Sequence, residues 1–251
     1  MHQFFVEKSQ VGKEYVTITG SDVNHIRNVL RMKIGETIRV SDREGGNYFC
    51  KIAETGENFV QADIVSVDEE GTELPSKIYL FQALPKGDRM ETVIEKAVEL
   101  GVYEIIPVAM KYCVVKLDGK KAAQRVQKWQ AQAETAAKQS KRSIIPKIHE
   151  VVSFQEALKL ADDCDIRLVP YENENGMEGT RAVLEQIEPG KSISIMIGPE
   201  GGFAEEEIAK ARETMQSISL GRRILRTDTA GICMMSMLML QLESRIERKI
   251  Q

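Results

Sequence analysis

The chain reads as an α/β protein of two modules, a small β-rich one over residues 1–72 and a larger one with a parallel sheet over 73–251. Three observations predict this. From Lys77 onward, near-continuous apolar runs alternate with amphipathic stretches, the β-α-β pattern of a parallel sheet with right-handed crossovers. Before residue 72 the segments are short, β-prone and separated by glycines. Between the two, Val67-Asp68-Glu69-Glu70-Gly71-Thr72 is acidic, polar and glycine-containing, as a boundary would be.

In the first module the predicted strands are 15–19, 37–41, 48–52 and 60–67, punctuated by Gly20, Gly35, Gly45-Gly46 and Gly56. This composition suits a small barrel. Residues 23–32 read as one helix with a polar cap at Ser21-Asp22. Arg27 and Arg31, four apart, share a face of it. With His25 and Lys33, and with Arg39 and Arg43 following, they form either a solvated cationic face or a set of phosphate contacts.

In the second module, 77–84 is an apolar strand and Pro85-Lys86-Gly87 a turn. Asp88 precedes Glu91 by three, the spacing of a capping box. Met90, Val93, Ile94, Ala97 and Val98 form the apolar stripe of the helix that follows, and Gly101 stops it. Residues 104–109 are the next strand. Residues 120–139 form a helix whose inner face carries Val126, Trp129, Ala133, Ala136 and Ala137, with Trp129 as a core anchor. A helix over 154–161, a strand over 166–170 and a polar loop over 171–179 follow. The last helix, 229–249, carries Ile232, Met235, Leu238, Met239, Leu242 and Ile246 at helical spacing. Met234 and Met237 widen that surface into a Met-rich face that invites a partner.

A net charge of −4 argues weakly against nucleic acid, but its distribution matters more. Residues 119–150 carry eight cations against Glu134 and Glu150 alone. Lys141-Arg142, at the predicted exposed end of the helix, is the place in this module to meet RNA phosphate. No apolar run approaches the ~20 residues that span a membrane. The opening MHQFFVEKSQ lacks a secretion signal, so a cytoplasmic location is expected. Cys50, Cys113, Cys164 and Cys233 are scattered and read as reduced thiols. No metal-ligand spacing is present, and the three histidines fit no nucleophile arrangement.

The second module is organised around residues 193–230. An apolar strand, 193–197, stops at Gly198-Pro199-Glu200-Gly201-Gly202, where the backbone can take unusual angles. A helix over 204–215 opens with Glu205, Glu206 and Glu207, and a strand over 217–220 leads to Gly221 and a second loop, 222–229. Ligands of open α/β sheets sit at the carboxyl ends of strands, so this pair of loops is the candidate pocket. It lacks both G-x-G-x-x-G and the Lys-Ser/Thr of a P-loop, and acids crowd the helix entrance. A neutral or cationic ligand held by backbone groups fits better than a pyrophosphate.

IGPEGGF at 197–203 followed by LGRRILRTDTA at 220–230 resembles the signature pair of the RsmE-type ribosomal RNA methyltransferases, of the SPOUT superfamily. The second motif departs at Asp228, where that family usually has Glu, which keeps the charge and shortens the reach. The likeness extends to HIRNVLRMKIGE at 25–36 and KGDRMETVIEKAVELGV at 86–102, nearly the whole chain. It implies a PUA-like RNA-binding barrel, then a parallel-sheet domain with a trefoil knot formed around the strand ends near Pro170, Gly198 and Gly221. It implies S-adenosyl-L-methionine as cofactor, N3 of a uridine in small-subunit (16S) ribosomal RNA as target, and a homodimer. On the matching positions, the cofactor falls to Pro170, Ile197, Gly198, Pro199, Gly201, Gly202, Leu220, Gly221, Ile224, Leu225 and Thr229. Arg226 would stabilise charge on the base and Asp228 accept its proton. His25, Arg27, Arg31, Lys33, Lys141 and Arg142 would hold RNA. Other readings are a SPOUT enzyme acting on transfer RNA or on ribose, and a non-catalytic RNA-binding assembly factor.

Overall fold

The computed structural model describes residues 1–174 and 176–250, the side chains of 247–250 excepted. Asn175, within the loop expected over 171–179, lies outside the described residues. The chain divides into two compact units, Met1–Glu73 with Ala137–Ile145, and Leu74–Ala136 with Pro146–Gln251.

The first unit is a five-stranded sheet of β1 (Gln3–Phe5), β2 (Tyr15–Thr19), β3 (Thr37–Ser41), β4 (Asn47–Thr55) and β5 (Phe59–Val67). Their order is β1-β3-β4-β5-β2, antiparallel except for the parallel β1–β3 pair. Alternation sends Val16, Ile18, Ile38, Val40, Ile52 and Val60 to one buried cluster. Register shifts in β4 between Phe49 and Cys50, and between Ile52 and Glu54, bend the sheet. The open edge of β2 is blunted locally. Gln10 Nε2 donates to the Thr17 carbonyl at 2.8 Å, and Gly12 N donates to the Tyr15 carbonyl at 2.9 Å.

The expected helix over 23–32 forms differently. Helix α1 (Ser21–Asn24) passes into one wide π turn over His25–Val29. Gly20, at φ 76°, takes the cap position and no side chain caps the helix. Asp22 instead holds Lys138 Nζ at 3.3 Å. Arg31 closes the segment in the left-handed region at φ 53°.

The second unit runs β6 (Ile78–Ala83), α2 (Arg89–Glu99), β7 (Glu104–Ala109), α3 (Gly119–Ser140), β8 (Lys147–Ile148), β9 (Val152–Ser153), α4 (Phe154–Ala161), β10 (Ile166–Pro170), α5 (Glu178–Glu185), β11 (Ile193–Ile197), α6 (Glu205–Ala211), β12 (Gln216–Ile218) and α7 (Thr227–Ile250). The last residues of α3 group with the first unit. The sheet order is β12-β10-β11-β6-β7-β8, with β9 also on β7, and every pairing is parallel. Ile78, Leu80, Ile193 and Ile195 on the central strands are wholly buried, as apolar strands between helical layers must be.

The stripe of α2 is buried as its spacing predicts, and Trp129 is a core residue at 2% exposure. No capping box forms at Asp88, because the Glu91 carboxylate turns to Lys128 Nζ at 3.0 Å. Helix α6 is shorter than the expected 204–215. Its acid Glu207 reaches back to Ala204 N at 3.0 Å and satisfies a first-turn donor. Helix α7 begins two residues earlier than expected. Met234, Met235, Leu238 and Leu242 enter the core, while Leu240 stays exposed.

Candidate active site

The site is built at the carboxyl ends of β10, β11 and β12. Strand β11 runs out at Ile197, and the next four residues turn back on themselves, Gly202 N donating to the Pro199 carbonyl at 2.9 Å. Gly202 holds φ 73°, which suits glycine alone without strain. Beyond β12, Gly221 holds φ 106° and starts the second loop. One hydroxyl stitches the loops to the sheet. Thr227 Oγ1 donates to the Gly198 carbonyl at 2.7 Å and accepts from Gln82 Nε2 at 2.9 Å. Gln82 is fully buried on β6. The first turn of α7 is therefore tied to the glycine loop and to the central strand through a single side chain.

These elements enclose a cavity of about 480 Å³, a size suited to a small organic ligand. Its wall includes nine of the residues named from sequence for the cofactor, namely Pro170, Ile197, Gly198, Pro199, Gly202, Leu220, Gly221, Ile224 and Leu225. Arg226 is on the wall as well and is exposed. Gly201, Thr229 and Asp228 are not on it. A Cβ at Gly201 would meet Tyr112 Cβ at 3.0 Å, so a side chain there would press on a neighbouring loop. Thr229 is exposed on the first turn of α7. Asp228 is half-buried beside Thr227, and its Oδ1 is buried without a hydrogen-bond partner among the described residues.

Sequence reasoning missed Tyr171, Glu172, Glu174, Met177, Phe203 and Thr227, all on the wall. Four of them follow β10 in a stretch whose polarity signals only a loop. Thr227 carried a legible signal, a hydroxyl between the two residues given chemical roles.

The acids expected to crowd the helix entrance are largely committed to protein donors. Glu200 Oε1 accepts from Lys86 N at 2.9 Å and from Arg89 Nη1 at 2.8 Å. Glu206 pairs with Lys111 Nζ at 2.5 Å. Glu207 accepts from Ala204 N and Lys111 N. Glu174 pairs with Arg212, whose guanidinium stands 4.9 Å from the Tyr171 ring centre. Glu172 remains exposed on the wall, and a Cβ at Gly202 would lie 3.1 Å from its Oε1. Arg222, Arg223 and Arg226 are exposed on the second loop and line the cavity.

In the first unit His25, Arg27, Arg31 and Lys33 are all exposed on the π turn and the residues after it. Arg27 Nη1 touches the Glu57 carbonyl at 3.2 Å. The expectation for Arg142 is corrected. It is 2% exposed, and its guanidinium pairs with Glu73 through both Nε and Nη2. A carboxylate that also accepts from Ser143 N and Oγ leaves this arginine no phosphate to meet. Lys141 is half-buried, with Nζ on the Met1 carbonyl at 2.9 Å. Burial lowers its pKa, and Arg39 adds to this. Arg39 is itself buried against Asp68 at 2.7 Å. Along α3, Arg125 and Lys128 lean on Glu91. The four thiols are free, three of them buried, and burial pushes Cys50 up to about 12. Among the described residues no group of His, Cys, Asp and Glu is placed to hold a metal.

Comparison with known proteins matches residues 72–239 to an RNA methyltransferase domain and residues 18–65 to an RNA methyltransferase PUA domain. A relative from Bacillus subtilis, ribosomal RNA small subunit methyltransferase E, is 36% identical, the match covering 97% of this chain and 98% of the relative. The protein of that name from Mesomycoplasma hyopneumoniae is 32% identical over 94% of this chain and 98% of its own. The crystal structure of the Neisseria gonorrhoeae protein of the same name, bound to S-adenosyl methionine, superposes with a TM-score of 0.80 at 31% identity, covering 94% of this chain and 95% of that one. With one domain match spanning most of the chain and such relatives along nearly all of it, the chain belongs to the ribosomal RNA small subunit methyltransferase E family.

Proposed function

We propose that this protein transfers a methyl group from S-adenosyl-L-methionine to N3 of a uridine in small-subunit ribosomal RNA. The observation that carries the reading is the convergence of three strand ends on one cavity with Arg226 at its wall. The residues fit such a cofactor. Backbone groups at Gly198, Gly202 and Gly221 lie close to the cavity because glycine carries no side chain. Ile197, Leu220 and Leu225 supply apolar wall, and the exposed Glu172 carboxylate suits a cationic ligand.

When bound, the cofactor supplies a methyl group on a sulfonium, a centre with a good leaving group. The protein's task is then to align the acceptor, exclude water and handle one proton. The uridine N3–H proton leaves as the methyl group arrives. Arg226 stabilises the negative charge that develops on the base. Asp228 accepts the proton, directly or through water. His25, Arg27, Arg31 and Lys33 contact phosphates of the substrate, whose target base leaves its stack to be reached. The protein acts in the cytoplasm as a homodimer, with the exposed Leu240 and half-buried Met239 of α7 contributing to the contact.

The test supplies labelled cofactor with unmodified small subunits, naked small-subunit RNA or transfer RNA, and maps the product. Label on uridine N3 of small-subunit RNA is expected. Label on transfer RNA alone, or on ribose, would move the protein to another reaction. No label, with RNA still bound, would make it a non-catalytic assembly factor.

A further inference from the structure

Outside the cavity, one exposed aromatic stands on a turn that is tied at several points. Tyr112 is 47% exposed, on the turn that follows β7. Cys113 N donates to the Met110 carbonyl at 3.1 Å and closes that turn, and the buried Cys113 side chain anchors it from below. Lys111 N donates to Glu207 Oε1 at 2.8 Å. The other oxygen of Glu207, itself 7% exposed, caps α6 through Ala204 N. One buried carboxylate thus clamps the Tyr112 turn to the helix that leaves the glycine loop. Tyr112 Cβ also sits where a side chain at Gly201 would be. Gly201 stands between Glu200 and Gly202, both on the cavity wall, so Tyr112 packs on the flank of the loop turned away from the cavity.

The apolar part of an aromatic ring left half in water costs solvation free energy. The surroundings indicate what covers it. Lys111 Nζ, paired with Glu206, lies 5.7 Å from the ring centre, Lys116 is exposed four residues on, and Val114 is 67% exposed. An aromatic ring open to solvent, on a tied turn with one cation beside it, is an arrangement on which a nucleotide base stacks, its phosphate competing with Glu206 for Lys111 or meeting the exposed Lys116.

We propose that Tyr112 is a stacking platform for an unpaired base of the RNA substrate, one flanking the nucleotide that enters the cavity. Tyr112 is thus a positioning residue, and the proposal rests on the methyltransferase reading above. The base is read by its π-face and not by its edges, so the contact holds the strand without choosing its sequence. It gives Gly201 a reason that the cofactor does not, namely seating the ring against the loop.

The test uses the full chain with small ribosomal subunits and labelled cofactor. Loss of a stacked base is worth on the order of tenfold or more in RNA binding. Tyr112→Ala is expected to raise KM for the RNA by about that factor while kcat and the affinity for S-adenosylhomocysteine stay near native, and Tyr112→Phe and Tyr112→Trp to restore KM. In Tyr112→Trp, RNA is expected to quench the new fluorescence, which buried Trp129 does not report. A native KM in Tyr112→Ala, or unquenched fluorescence in Tyr112→Trp with RNA bound, overturns the platform while leaving methyl transfer in place. Native protein that transfers no methyl group overturns the methyltransferase reading instead, and its platform stands or falls on the quenching alone.

Discussion

Arg226, Thr227 and Asp228 are adjacent in the chain and serve different ends. Thr227 is structural, since its hydroxyl joins Gly198 to Gln82. Arg226 is exposed at the cavity and has the reach to meet a substrate. Removing a single preorganised donor from a developing anion typically costs ~10²–10³ in turnover. Arg226→Ala is therefore expected to lose methyl transfer on that scale while S-adenosylhomocysteine binds as before, measured by single-turnover kinetics beside a titration. An equal loss of cofactor affinity would place Arg226 in cofactor binding instead. Asp228→Asn is expected to abolish most turnover, and native turnover would remove it as proton acceptor. Arg142 shows the limit of reading charge from sequence. A cation among cations looks like a phosphate contact until its partner, Glu73, arrives from 69 residues away.

At the scale of elements, that pair fixes residues 137–145 in the first unit. Burial pushes the Glu73 carboxyl up, but the Arg142 guanidinium and the Ser143 amide and hydroxyl outweigh it and leave its pKa below the ordinary 4.5. A lowered folded pKa means stability that is complete above pH 4.5 and is lost as the pH falls through the folded value. Breaking a fully buried pair costs about 3–5 kcal/mol, and this one, with Arg142 buried and Glu73 half-buried, is worth less. Glu73→Gln is expected to lower stability toward that extent at neutral pH, and to flatten the acid limb of the denaturation curve. An unchanged acid limb would show that Glu73 does not titrate with folding. The elements the sequence revealed are those with strong local patterns. The stripe of α2, the strand at 166–170 and the helix at 154–161 stand where their periodicity put them. Those it hid depend on distant partners. Strand β1 is three residues paired in parallel with β3. Helix α5 follows a polar stretch and contains Gly179, and it is anchored by Thr180 Oγ1 on the Ser219 carbonyl at 2.8 Å. The π turn at His25 carries no local signature at all.

For the whole molecule, the net charge of −4 conceals a division of labour. Exposed cations gather on the π turn of the first unit and on the second glycine-started loop, while most acids near the cavity are spent on internal ties. The strand ends that made the pocket a candidate from sequence do meet, because an all-parallel sheet brings the carboxyl ends of β10, β11 and β12 to one side. A side chain at Gly201 would press on Tyr112, which is not on the cavity wall. Gly198 is the better probe, because a Cβ there would lie 2.8 Å from the Phe203 ring, itself on the cavity wall. The most direct measurement is a calorimetric titration of S-adenosylhomocysteine into native protein and into Gly198→Val, with folding of both checked by circular dichroism. Micromolar binding to native protein, one site per chain, and its loss in the folded variant are expected. Absence of binding to native protein, or equal binding to both, would contradict the assignment of this cavity to the cofactor.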